Sequence, residues 1–208
     1  PGASACIVSP SGHYVDTSAA TAPTPCSSGT YNPSLGSNTS LDCMHADPGY
    51  AVPDPGSSYQ TPCTPGHYQP SSGQTSCLEA DAGHFVSSQG ADSQTPCSVG
   101  TYTANTSQSA CTEAAPGHYV STPGSTYEEA CSIGTYNTQT ASTSASDCLP
   151  ADAGNYVPMA GAAEQIPCVE GTYQPSIGQS SCIMSDPGHY VPGANFQSQL
   201  ECQIGSFQ

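Results

Sequence analysis

The sequence predicts a small disulfide-rich fold of short β-strands, turns and coil with almost no helix, arranged as an elongated, solenoid-like tandem repeat. Three observations lead there. The 208 residues include 12 Cys, 21 Gly and 20 Pro, an even cysteine count in a turn-rich chain, as in disulfide-stapled proteins of oxidising, extracellular surroundings. Leu, Ile, Val and Phe together number 23, about 11% of the chain and well below the roughly 20% an ordinary core requires. The cysteines also recur with a fixed period.

Cys6, Cys43, Cys77, Cys111, Cys148 and Cys182 are separated by 37, 34, 34, 37 and 34 residues. A period of this size sets the architecture before any secondary structure is considered. Glycines halve it: from Gly12 to Gly205 they step by 17, with two steps of 20. The expected organisation is one continuous array over 1–208. Residues 1–25 form a partial unit, then come 26–62, 63–96, 97–130, 131–167 and 168–201, and 202–208 start another unit. The array is expected to be a slice of a longer one, truncated at both ends.

The half-units are of two kinds. One begins Cys-x-x-Gly-Thr-Tyr, as at 97–102, 131–136 and 168–173, with His67 replacing Thr at 63–68. The other reads Ala or Ser, then x-x-Gly-His-Tyr-Val, as at 114–120 and 185–191. Placed in register, the positions of Cys63 and Cys77 are taken in the second kind by Ala46 and Gln60, Ala80 and Gln94, Ala114 and Glu128, Ala151 and Gln165. Cysteines absent as a pair are most simply partners. This predicts bridges Cys26 to Cys43, Cys63 to Cys77, Cys97 to Cys111, Cys131 to Cys148 and Cys168 to Cys182. Cys6 and Cys202 then have partners outside this window. A competing connectivity joins cysteines 20 apart, Cys6 to Cys26 and onward; its spacing never varies and it uses all twelve.

Each half-unit is long enough for two short extended segments around a turn, for example 101–103 leading out and 109–111 returning. Turn chemistry agrees, because Asn32-Pro33-Ser34-Leu35-Gly36 and Gln174-Pro175-Ser176-Ile177-Gly178 place Pro early and Gly late. No 3.6-residue period survives the recurrent Gly and Pro. The periodic Gly needs positive φ or close approach of another chain segment. Closing loops of about 15 residues, worth roughly 3 kcal/mol each, substitutes for the missing core. Units touching chiefly their neighbours imply a rod.

Residues 168–175, Cys-Val-Glu-Gly-Thr-Tyr-Gln-Pro, followed by Gly178 and Cys182, resemble the ephrin-receptor-like (GCC2/GCC3) cysteine-rich repeats and the first half of tumour-necrosis-factor-receptor cysteine-rich modules. The resemblance extends over every unit and implies bonding of cysteines about 14 apart. It departs from those families at Ala46, Ala80, Ala114, Ala151 and Ser185, where a second cysteine is usual. Such arrays are also similar to repeat regions in large surface proteins of aquatic microbes, which implies an exported stalk, adhesin or fibre.

Charge narrows the partners. With no Lys or Arg and a net charge of -16, nucleic acid and anionic membrane are poor partners, and neither nucleic acid nor direct membrane insertion is expected. Neighbouring copies of the same repeats are the expected ones, by self-association into a fibre. No apolar run approaches the roughly 18 residues of a membrane span, so any signal or anchor is expected outside this window.

Candidate sites are few. Asp47, Asp81, Asp152 and Asp186 recur before glycines and are candidate calcium ligands, although six to eight oxygens from adjacent units would be needed. Otherwise no cofactor is expected. His13, His67, His84, His118 and His189 share one repeat position, read as an exposed polar side chain beside a buried aromatic. Asn38 and Asn105 open N-glycosylation sequons, so covalent glycans are expected. No nucleophile, base and oxyanion-stabilising set stands out from the repeat. The sequence reading is a non-enzymatic extracellular or cell-surface structural protein, with an adhesin or receptor ectodomain as the alternative.

Overall fold

The structure is a computed structural model that describes residues 5–206. Residues 1–4 and 207–208, the outermost parts of the two terminal partial units, lie outside the described residues. Among the described residues are eleven two-stranded antiparallel sheets and two three-residue 3-10 turns.

Every sheet is a hairpin of two-residue strands opened by a periodic glycine. After Gly12, His13 pairs with Pro25 and Tyr14 with Thr24; the return strand delivers Cys26, whose N–H donates to the Gly12 carbonyl at 2.8 Å. Proline is tolerated in the return strand because a two-stranded sheet leaves one edge unpaired. The return segment falls later than the sequence suggests: Thr101 pairs with Glu113 and Tyr102 with Thr112, not with 109–111. The reason is the next hairpin, since the strand must bring Ala114 to the Gly100 carbonyl, 2.9 Å away.

Two-residue strands are too short to stand alone, and each hairpin leans on the next through repeated backbone bonds. The chain forms two compact units, one of residues up to Pro96 with Asn105–Cys111, the other of Cys97–Ala104 with Thr112 onward. In the first, Gly12 N–H donates to Asn32 O (2.7 Å), Asn32 N–H to Ser57 O (3.1 Å) and Gly36 N–H to Ser9 O (2.8 Å). In the second, Gly117 N–H donates to Asn137 O (2.7 Å), Asn137 N–H to Ala162 O (3.1 Å) and Ala141 N–H to Ala114 O (2.9 Å). The same three bonds thus tie successive hairpins in both units.

Contact also reaches two hairpins ahead. Gly117 has φ +85°, and a methyl group built on it would collide with the carbonyl of Gly161. Positive φ and close approach both select glycine there. The residue seven places after each hairpin-opening glycine forms the far turn, again with positive φ; Ala19, Ser107, Ala141 and Asn195 occupy it as well as glycines.

The core is a narrow double file. One file is the residue three before each hairpin-opening glycine from Gly29 to Gly171, Cys and Ala in turn, with Cys63 at 1% exposure and Ala80 at 0%. The other is three after it, Val52 and Val86 in the first unit, Val120 and Val157 in the second. Burying a Val side chain contributes only about 1.5–3 kcal/mol, so the bridges and polar contacts carry much of the cohesion.

Candidate functional site

The cysteines are the first group of residues to place. Cys26 bonds Cys43, Cys63 bonds Cys77, Cys131 bonds Cys148 and Cys168 bonds Cys182, with Cα separations of 5.6–5.8 Å. Cys97 and Cys111 are also disulfide-bonded, while Cys6 and Cys202 have no disulfide partner among the described residues. Where a bridge spans 17 residues instead of 14, the three extra residues wind into the 3-10 turns Ser40–Asp42 and Ala145–Asp147. Thr39 caps the first by accepting from Leu41 N–H. Ser144 and Asp147 form a reciprocal capping box on the second.

Hairpins without a bridge have a clasp in its place, apart from the first, where Pro10 and Pro23 stand at the two clasp positions. Gln60 donates from Nε2 to Asp47 Oδ2 and accepts at Oε1 from the Asp47 N–H, both at 2.7 Å. Gln94 and Asp81 repeat it, as do Gln165 and Asp152, and Gln199 and Asp186. In the fifth case the acid changes side: Glu128 accepts from Ala115 N–H at 2.7 Å and lies 4.0 Å from His118 Nδ1. Gln60, Gln94, Glu128 and Gln165 are the residues standing where the second cysteine would be. The four aspartates singled out as calcium candidates are therefore each hydrogen-bonded to a glutamine. Among the described residues, no three His, Cys, Asp or Glu side chains are grouped to hold a metal.

The repeated histidines differ from the sequence reading. His67 and Tyr68 are both half-buried, as are His84 and Phe85, because two-residue strands at the edge of a thin core bury neither face fully. The His13 ring packs on Gly56, and His118 on Gly161, two hairpins further on. The free surface of these imidazoles is correspondingly small.

One set of residues was not singled out from sequence. Asn32, Gln69, Asn137 and Gln174 lie three after their glycines and are buried. The Asn32 amide donates to Ser37 Oγ (2.7 Å) and its Oδ1 accepts from Ser34 N–H (3.0 Å); Asn137 does likewise with Ser142 and Gln139. In the 14-residue loops the longer Gln69 and Gln174 reach the carbonyls of Ser76 and Ser181, both 2.8 Å. An amide in four of the five bridged hairpins, and Thr103 in the fifth, where the unbridged hairpins have valine was the available signal. Among the described residues no buried side-chain polar atom lacks a partner, as buried polar networks require.

Both sequon asparagines, Asn38 and Asn105, are exposed on turns. Two open, polar recesses of about 420 and 460 Å3 occupy corresponding loops, 137–149 and 32–44.

Residues 55–97 match a family described as tyrosine-protein kinase ephrin type A/B receptor-like. This segment is ephrin-receptor-like. It spans the Cys63–Cys77 hairpin and the Asp81–Gln94 clasp, one bridged and one clasped hairpin together. No curated protein matches the chain. The ephrin-receptor-like module is a receptor-type cysteine-rich repeat and not an enzyme class. With its disulfides it belongs to extracellular or surface surroundings. No helix among the described residues is long and apolar enough to cross a membrane.

Proposed function

We propose that this chain is a non-enzymatic structural array, a stalk or the shaft of an extracellular filament, built from ephrin-receptor-like repeats and associating with neighbouring copies. The observation that supports it most is uniformity. Gly117 to Asn137, Gly134 to Val157 and Gly154 to Gln174 are the same bond made again and again, and ten of the eleven described hairpins, all but the first, are closed either by a disulfide or by a clasp. Adding hairpins of this construction lengthens an array without altering any member of it. Bridges and clasps hold the array, and exposed turns such as those of Asn38 and Asn105 carry N-glycans on this reading.

Electron microscopy of native, unreduced material tests it. Uniform fibres, or extended stalks of constant width, are expected; compact particles sink the proposal. A receptor or adhesin ectodomain is the second reading, favoured by the receptor-type match over 55–97 and by the paired recesses at 32–44 and 137–149. On that reading, a protein or glycan ligand binds at one end or one loop of short separate rods.

A further inference from the structure

The bridged and clasped hairpins differ in what they show to solvent. In four of the five bridged hairpins the aromatic of the outgoing strand faces an apolar residue across the sheet: Tyr31 with Met44, Tyr68 with Leu78, Tyr136 with Leu149, Tyr173 with Ile183. Met44, Leu78, Leu149 and Ile183 are 44–51% exposed. At the same register two of the five clasped hairpins pair an aromatic with a polar residue, Phe85 with Thr95 and Tyr119 with Glu129, one pairs Ala51 with Thr61, and two, Tyr156 with Ile166 and Tyr190 with Leu200, keep an aromatic–aliphatic pair. Acids segregate the other way. Of 16, the five bridged hairpins hold Asp42, Glu79, Glu113, Asp147 and Glu170, and the remaining 11 lie in unbridged ones.

Bridged hairpins also touch within each unit. A methyl on Gly29 would strike the Gly73 carbonyl, which puts hairpins 26–45 and 63–79 in contact in the first unit; Gly134 and Gly178 do the same for 131–150 and 168–184 in the second. Each unit therefore presents two adjacent bridged hairpins, each with a half-exposed aromatic–aliphatic pair and few charges.

We propose that these pairs are the surface through which copies of this chain associate side by side. The inference rests on the structural reading above and names the contact it uses. Two arguments point to a second copy as occupant. The chain has no Lys or Arg, so a copy has no cation to set against the acid-rich hairpins, and like-charge repulsion directs contact to the hairpins with few acids. The apolar pairs also recur at the spacing of the repeat itself, which a second copy matches pair for pair. Contact there removes apolar surface from water and leaves the acids solvated.

The test compares full chains by sedimentation equilibrium at roughly 0.15 M salt, where screening extends about 8 Å. In one variant Met44→Thr, Leu78→Thr, Leu149→Thr and Ile183→Thr are combined; Thr112 already fills that position in the fifth bridged hairpin, so the fold accommodates it. The control combines Ile166→Thr and Leu200→Thr in clasped hairpins. Wild type is expected to self-associate, the fourfold variant to lose about tenfold or more in association constant, and the control less than about threefold, with unchanged melting curves. An unaffected fourfold variant, or an equally affected control, overturns the surface while leaving the structural reading in place. Wild type that stays monomeric at all concentrations also overturns it, and the structural reading is then judged by microscopy alone.

Discussion

Gly117 lies against the carbonyl of Gly161, 44 residues and two hairpins further along the chain. The contact is backbone to backbone, so the only sequence trace it leaves is the absence of a side chain. Gly36, in a far turn, also has positive φ (+71°) but nothing within 4 Å of an added methyl. The two glycines therefore have different reasons to be glycine, and substitution separates them.

Gly117→Ala is expected to destabilise the second unit strongly, by about 3 kcal/mol or more, since it adds a backbone collision to the cost of positive φ. Gly36→Ala should cost about 1–2 kcal/mol, the left-handed penalty alone, as Ala141 occupies the equivalent turn with φ +54°. Denaturant melts of both variants check this, and equal costs would remove the close-approach argument.

The clasp should be replaceable by the bridge it stands in for. Ala46→Cys with Gln60→Cys places cysteines 14 apart, the spacing of Cys63–Cys77, and closure of such a loop is expected to stabilise by roughly 3 kcal/mol. Gln60→Leu alone should cost about 1–2 kcal/mol through two lost hydrogen bonds. Non-reducing mass mapping with thermal melts reads both effects, and a double variant that stays reduced would count against the shared register.

Calcium should add little. Asp47, Asp81, Asp152 and Asp186 each already engage a glutamine amide through Oδ2, and a hard-cation site wants six to eight oxygens. The melting temperature in calcium chloride is expected to equal that in sodium chloride of the same ionic strength. A clear rise in calcium would mean that these carboxylates are recruited away from their clasps.

Tyr119 should titrate late in an alkaline titration. Burial, then the hydrogen bond its hydroxyl donates to Glu129 Oε2 (3.2 Å), then the Glu129 charge, raise its pKa above the ordinary 10.0. The folded value is the higher one. The contribution to stability is thus complete below pH 10 and is lost as pH rises through the folded pKa. Phenolate absorbance should show the Tyr119 transition above pH 10 in wild type, and Glu129→Gln should lower its midpoint.

Intact mass bears on Asn38 and Asn105. Native material is expected to exceed the 21.0 kDa of the polypeptide by glycan masses that disappear on enzymatic N-deglycosylation; a mass equal to the bare oxidised chain would remove the glycan proposal.

Much of the fold was legible in the residues. Short strands follow from Gly and Pro every few positions, and the near absence of helix from the lack of a sustained 3.6-residue period. The ephrin-receptor-like character follows from Cys-x-x-Gly-x-Tyr. These are local properties, carried by residue types at fixed offsets. The clasp was only half legible: Asp81 and Gln94 each stood out in register, but nothing in their spacing of 13 said that one would hold the other. Glu128 with Ala115 shows why, since the acid can change sides and leave the clasp in place.

The sequence by itself determined the period, the hairpin and the alternation of cysteine with alanine, because these depend on backbone conformation and side-chain size at single positions. Only the tertiary structure decided that Asn32 and Gln69 are buried and satisfied, that His13 rests on Gly56, and that Gly117 meets Gly161. Those depend on which hairpin lies against which, and that is set by backbone N–H and C=O groups, which every residue except proline carries alike.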